Sequence, residues 1–207
     1  KIATAAGDSK ISCEADLDRV HRLRARVDAI MVGIGTVLAD DPSLTVRRVK
    51  GKNPIRVVID SLAKTPLNAR VLNHSAPTII AVTEDAPERK VKKFRVAGAR
   101  VIRTGKKEVD LKKLLKKLRS LGIRRFMLEG GSTLNWGMLK QGLVDELRIA
   151  VAPRIVGGGR AKSLVGGKGF AKISEGVKLR LINARKVGED LLLTYWVEGA
   201  KSAQKTG

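Results

Sequence analysis

Cysteine is almost missing from this chain. Cys13 is the only one in 207 residues, so no internal disulfide can form and no thiolate-rich metal site can be assembled. Histidine is nearly as scarce, with His21 and His74 alone, and no H-E-x-x-H or C-x-x-C pattern occurs. A metal site is therefore not expected. Aromatic residues make up 3%, too few for the stacking platforms that hold single-stranded nucleic acid. No apolar run reaches membrane-spanning length, and there is no charged-then-apolar leader. These absences fit a protein that stays off membranes, in a reducing cytoplasm. The chain begins at Lys1, in a segment to Ala5 that reads as the end of a strand, so the natural chain is expected to start earlier.

Acidic residues are also few, 20 Asp and Glu against 42 Lys and Arg, for a net charge of +22. That balance favours anionic partners, either nucleic acid or small phosphorylated ligands steered by the field. The basic residues are spread along the chain, densest at Lys90–Arg95 and Lys106–Arg125. They read equally well as the solvated faces of a heat-adapted protein. Apolar residues at 43% supply enough material for a core. No internal repeat or linker divides the chain. Residues 1–198 are expected to form a single domain, with 199–207 a polar tail.

The periodicities alternate. Ser12 is a suitable N-cap for a helix over 13–27, with Leu17, Val20, Leu23 and Val27 at helical spacing. Ala29–Val32 reads as a buried strand, followed by a glycine turn and a short helix from Thr36 to Asp40. Ile55–Ile59, Thr78–Thr83, Arg100–Arg103 and Arg125–Leu128 read as further strands. Helices are expected at 87–96, after the cap Asp110, and from Leu134 to Leu139. Val144–Ile155 is a long strand, and two glycine clusters from Gly157 to Gly169 bracket a flexible loop. Val177–Ile182 and Leu191–Val197 form a closing antiparallel hairpin. The pattern is α/β with a mostly parallel sheet, helices on both faces and an antiparallel end.

Three loops at carboxyl ends of strands carry ligand-like chemistry: Gly33–Asp40, Ser61–Lys64 and Glu129–Thr133. In an open α/β sheet ligands bind at that edge. Gly130 and Gly131 expose backbone N–H groups at a helix start, and Ser132 and Thr133 add hydroxyls, a suitable cradle for phosphate. The loop is neither G-x-G-x-x-G nor a Walker lysine loop, so a standard nucleotide-binding motif is excluded. Glu129, at a strand tip, can accept hydrogen bonds from heterocycle amino groups, and Arg24 and Arg47 can contact a phosphate. Asp40 and Asp41 are adjacent and point apart, so no shared-proton dyad is expected and no catalytic acid or base is named.

The runs ISCEADLDRVHRLRARVDAIMVGIGTVLADDPSLTVR, NPIRVVIDS, PLNARVL and LEGGSTLNWGMLKQGLVDEL resemble the riboflavin-biosynthesis reductases. These act on 2,5-diamino-6-ribosylamino-4(3H)-pyrimidinone 5′-phosphate and are related to the reductase half of the bifunctional deaminase-reductase. The likeness covers nearly the whole chain. It implies a dihydrofolate-reductase-like fold, NADPH as cofactor, a homodimer, and reduction of the ribosylamino side chain to ribitylamino. Matched to the family's positions, Thr36, Asp40, Ser61, Ala63, Lys64, Gly130, Gly131, Ser132 and Thr133 would contact cofactor. Arg24, Leu44, Arg47 and Glu129 would contact substrate. Lys10 departs from the pattern, since bifunctional members often carry tryptophan there. The deaminase's zinc signature is absent, as in stand-alone archaeal members. The alternatives are a basic nucleic-acid-binding module and a reductase of the same fold acting on a pterin.

Overall fold

Five strands in the middle of the chain pair only in parallel, because each is followed by a crossover segment rather than a tight turn. The computed structural model describes residues 2–199. It forms two compact units: Val20–Leu134 is one, and the described residues on either side of it form the other. The boundaries fall inside helices α1 (Glu14–Arg24) and α5 (Ser132–Lys140).

The central unit holds β1 (Ala29–Gly33), α2 (Ile34–Asp40), β2 (Ile55–Ile59), β3 (Thr78–Val82), α3 (Glu88–Val96), β4 (Arg100–Arg103), α4 (Leu111–Ser120) and β5 (Phe126–Leu128). The strand order is β4-β3-β2-β1-β5. Successive strands step outward from β1 to β4, and the chain then returns to place β5 on the other side of β1. Ile30 pairs with Arg56 on one side and Met127 on the other. β1 and β3 are near-continuous apolar runs, as strands buried on both faces require. Val91 and Phe94 of α3 join Ile30, Val32, Val58 and Ile80 in one core cluster. In α4 the Asp110 carboxylate caps the Lys113 N–H at 2.9 Å, Leu111, Leu114 and Leu118 are buried, and the lysine face is exposed.

Arg56 of β2 is fully buried, and among the described residues no carboxylate accompanies it. Its guanidinium instead donates to the carbonyls of Arg70, Asn73 and Ala76 and to the Asn73 side chain. Burial pulls its pKa down to about 10, which leaves it cationic at neutral pH.

The second unit contains an antiparallel sheet of order β6-β8-β7, from β6 (Glu146–Val151), β7 (Leu179–Val187) and β8 (Asp190–Val197). Strand β6 is shorter than the expected 144–155 run, and it joins this separate sheet rather than the parallel one. Strand β7 is longer than expected, because pairing with β8 carries it past an irregularity between Leu181 and Asn183 as far as Val187. The turn has Gly188 at φ +60°, the positive first angle of a II′ hairpin turn.

Two further expectations are corrected in this unit. Residues 2–6 form no strand, because the Thr4 N–H donates to Asp8 and the Gly7 N–H to Thr4, closing a local turn. Helix α1 begins at Glu14, so Cys13 takes the cap position in place of Ser12. The Cys13 carbonyl accepts from Asp16 and Leu17, and its N–H donates to the Asp190 carboxylate at 3.0 Å. In the glycine-bracketed segment the Leu164 carbonyl accepts from the Asn135 amide at 2.8 Å, and Gly167 packs where any Cβ would overlap the Trp136 ring.

Candidate active site

The strand order has one switch point, between β1 and β5, where the chain leaves in opposite directions from neighbouring strands. The crevice outside the carboxyl ends of such strands is where open α/β sheets bind ligands. Both segments that leave this point contain glycine. The Gly33 N–H donates to the Gly130 carbonyl at 3.0 Å, and the Glu129 N–H to Met31 at 3.0 Å. Thr36, in the first turn of α2, lies against Gly131, where an added Cβ would come within 3.2 Å of the hydroxyl. The Gly130–Gly131 peptide is cis, and Gly130 has φ +94°. Cβ atoms at Gly35 or Gly130 would meet open space, so the backbone here can be approached closely from outside. Ser132 and Thr133 open α5, with its unsatisfied N–H groups. This donor set suits a phosphate group.

The Ser61–Lys64 loop is shaped by a residue that the motifs did not single out. Asp60, fully buried at the end of β2, accepts from the Lys64 N–H (2.8 Å), the Thr65 N–H (2.7 Å) and the Thr65 hydroxyl (2.7 Å). The loop carbonyl of Ser61 accepts from the Thr83 hydroxyl at 2.7 Å. Ala63 is held buried at φ +53°, an uncommon angle for a residue with a side chain, while Lys64 stays exposed. The available signal was an aspartate directly after an apolar strand run, a residue type whose side chain bonds the backbone amides of the turn that follows it.

Arg24 and Glu129, treated above as separate ligand contacts, meet each other. Arg24 Nε donates to Glu129 Oε1 at 2.7 Å and Nη2 to Oε2 at 2.6 Å, a bidentate pair. Arg24 Nη1 also donates to the Thr45 carbonyl at 3.1 Å. The Glu129 carboxylate thus has a clear local partner. Leu44 is 2% exposed and sits at φ +52°, a strained conformation that Gly would adopt without cost. Arg47 is exposed, with its N–H on His21 Nδ1 at 3.0 Å. Loss of surrounding water, then the charges of Arg24 and Arg70, pull its pKa below the ordinary arginine value, and Glu129 opposes them. Asp40 is exposed on the last turn of α2. Every candidate site residue therefore belongs to the central unit. Among the described residues no group of His, Cys, Asp or Glu could hold a metal ion, and no helix is long and apolar enough to cross a membrane.

The profile of the RibD C-terminal domain family matches residues 1–193. A 2,5-diamino-6-ribosylamino-4(3H)-pyrimidinone 5′-phosphate reductase of Methanothermobacter thermautotrophicus is 54% identical over 202 residues, 96% of this chain and 93% of that protein. A protein of the same name from Aquifex aeolicus is 48% identical over 178 residues, 86% of this chain and 79% of its own. Among solved structures, RibD of Acinetobacter baumannii superposes with a TM-score of 0.82 at 27% identity, covering 95% of this chain and 54% of that one. The chain thus spans about half the length of that RibD. With its parallel sheet and accompanying antiparallel sheet, it has the dihydrofolate-reductase-like fold of these reductase domains. The chain belongs to the RibD C-terminal domain family.

Proposed function

We propose that this chain reduces 2,5-diamino-6-ribosylamino-4(3H)-pyrimidinone 5′-phosphate to its ribitylamino form in riboflavin biosynthesis, with NADPH as donor. The observation that carries the reading is the gathering of two glycine loops, Thr36 and the Arg24–Glu129 pair around the β1/β5 switch point. The names of the most similar relatives agree with it. NADPH, when bound, supplies the hydride. The chain's own residues bind and orient. Gly130, Gly131, Ser132 and Thr133 offer donors to the dinucleotide phosphates, with Thr36 and Asp40 beside them. Ser61, Ala63 and Lys64 form the loop that takes the adenosine ribose and its 2′-phosphate. Arg24 fixes the Glu129 carboxylate so that its remaining lone pairs accept from the pyrimidine amino groups. Leu44 packs on the substrate and Arg47 meets its phosphate, while the proton that accompanies reduction comes from water. Residues 1–198 act together as one reductase domain, in the cytoplasm. The working form is a homodimer, supported by the exposed apolar residues Leu179, Leu181, Ile182 and Leu191 on the antiparallel sheet.

The test is absorbance. NADPH oxidation should begin on adding the diaminopyrimidine ribotide and not on adding dihydrofolate or buffer. Oxidation with dihydrofolate alone would favour a pterin reductase and defeat the proposal.

A further inference from the structure

We propose that Arg70 is a specificity-determining contact for the phosphate monoester of the substrate, closing on it together with Arg47. The inference rests on the reductase reading above and adds a residue to it. Arg70 opens a short 3-10 turn, Arg70–Leu72. Its N–H donates to Asp41 Oδ1 at 2.8 Å, and Asp41 is the left-handed residue that ends α2, the helix carrying Thr36 and Asp40. Its carbonyl accepts from the buried Arg56 guanidinium at 3.1 Å. The main chain of Arg70 is thus gripped from both sides. The side chain itself is exposed and makes no hydrogen bond or ion pair among the described residues.

Arg47 is arranged in a similar way. His21 accepts from its N–H, and among the described residues its guanidinium has only a long 3.5 Å contact with the Thr45 hydroxyl. Arg70 lies within Coulombic range, since its charge helps to lower the Arg47 pKa. Of the carboxylates here, Glu129 binds Arg24 through both oxygens and Asp41 uses one on the Arg70 amide. What remains is two cations on fixed backbones, Arg70 tied to Asp41 at the end of α2 and Arg47 six positions further along the same chain. A dianion between them accepts from both guanidinium forks. A phosphate monoester, with a charge of about −1.5 to −2 near neutral pH, matches two unpaired arginines. Lys64 lies six positions before Arg70 in the same β2–β3 connection, on the part that Asp60 holds, and is the separate candidate partner for the nucleotide's own 2′-phosphate.

The experiment compares the native chain, Arg70→Ala and Arg70→Lys. Each is titrated with ribose 5-phosphate, ribose and NADPH by calorimetry, and assayed with the ribotide and its dephosphorylated form. Arg70→Ala should weaken ribose 5-phosphate binding and raise KM for the ribotide by about tenfold or more, the scale of one lost charge-assisted contact. NADPH affinity and kcat should not change, as expected when binding is lost equally from ground and transition states. With the dephosphorylated substrate the variant and the native chain should share one KM, and Arg70→Lys should recover part of the loss. If Arg70→Ala does not fold, Arg70→Lys should still raise KM for the ribotide alone, because an ammonium cannot reproduce the fork. An unchanged KM for the ribotide, or a loss that appears in NADPH affinity instead, overturns the proposal. Arg70-dependent binding of ribose 5-phosphate without NADPH oxidation would defeat the reductase reading but leave the anion site standing.

Discussion

Arg24 and Glu129 lie 105 positions apart in sequence, and their side chains are only 13% and 15% exposed. A pair this shielded is costly to leave half-made. In Glu129→Gln the new amide turns a donor toward guanidinium donors, and the pairing should weaken by about 1–3 kcal/mol. Turnover of the ribotide should collapse while NADPH binding, followed by fluorescence, survives. Equal loss of both would mean that Glu129 only supports the glycine loop. The effects of Glu129→Gln and Arg24→Ala should not add, because the second change removes the charge that the first leaves unpaired. Lys64 is a different case, an exposed cation on a fixed loop. Lys64→Ala should reduce the preference for NADPH over NADH by about tenfold, the value of one charge-assisted contact. Lys113→Ala, on the exposed face of α4, is the control that should leave the preference intact in the same titration.

Two carboxylates set the geometry of whole elements. Asp60 satisfies three donors of the loop after β2 from a fully buried position. Asp60→Asn retains one acceptor and faces an amide N–H toward donors, at a cost on the order of 2–3 kcal/mol. Urea unfolding should show this loss, and the cofactor preference proposed for Lys64 should blur with it. Asp28 does a related job at the other end of the sheet, accepting from the Arg124 and Arg125 N–H groups at 2.9 and 2.8 Å where β5 begins. Those two backbone bonds, Arg125's the larger influence, lower the Asp28 pKa. A carboxylate with a lowered folded pKa contributes stability above its ordinary range, and this is lost as pH falls through the lowered value. Asp28→Asn should therefore be less stable than the native chain at neutral pH. The two should converge in acid, and a constant gap across an acid titration would show that the pair of bonds does not depend on the charge.

Across the molecule, 42 basic residues against 20 acidic ones leave a field that no single pair neutralises. Such a surface attracts any polyanion at low ionic strength. Binding held by several phosphate contacts falls by roughly three orders of magnitude or more on going to physiological salt. The chain should bind DNA weakly and without sequence preference at low salt, and lose that binding at physiological salt. NADPH affinity should change by less than about tenfold over the same range, since a small ligand carries few charges. Tight, sequence-selective binding at physiological salt, with no NADPH protection against thermal unfolding, would reverse this ranking.

What the sequence determined by itself was local. The lysine-and-leucine period of α4 with its Asp110 cap, the apolar runs of β1 to β4 and the three loops at strand ends all rest on residues within a few positions of one another. Helix and strand patterns are short-range properties, so the order of elements was legible. The tertiary structure decided what those elements meet. The Cys13 N–H is taken by Asp190, 177 positions away, which moved the cap of α1 from Ser12. The hydrogen bonds of β6 and β7 with β8 set the extent of the antiparallel sheet. The return of the chain to β5 placed Glu129 against Arg24 and Gly131 against Thr36. Arg70 gained its interest only through Asp41, Arg56 and Arg47, none of which is its neighbour in sequence. Charge pairing and hydrogen bonding act over a few ångströms of space, and only the path of the folded chain brings distant residues within that reach.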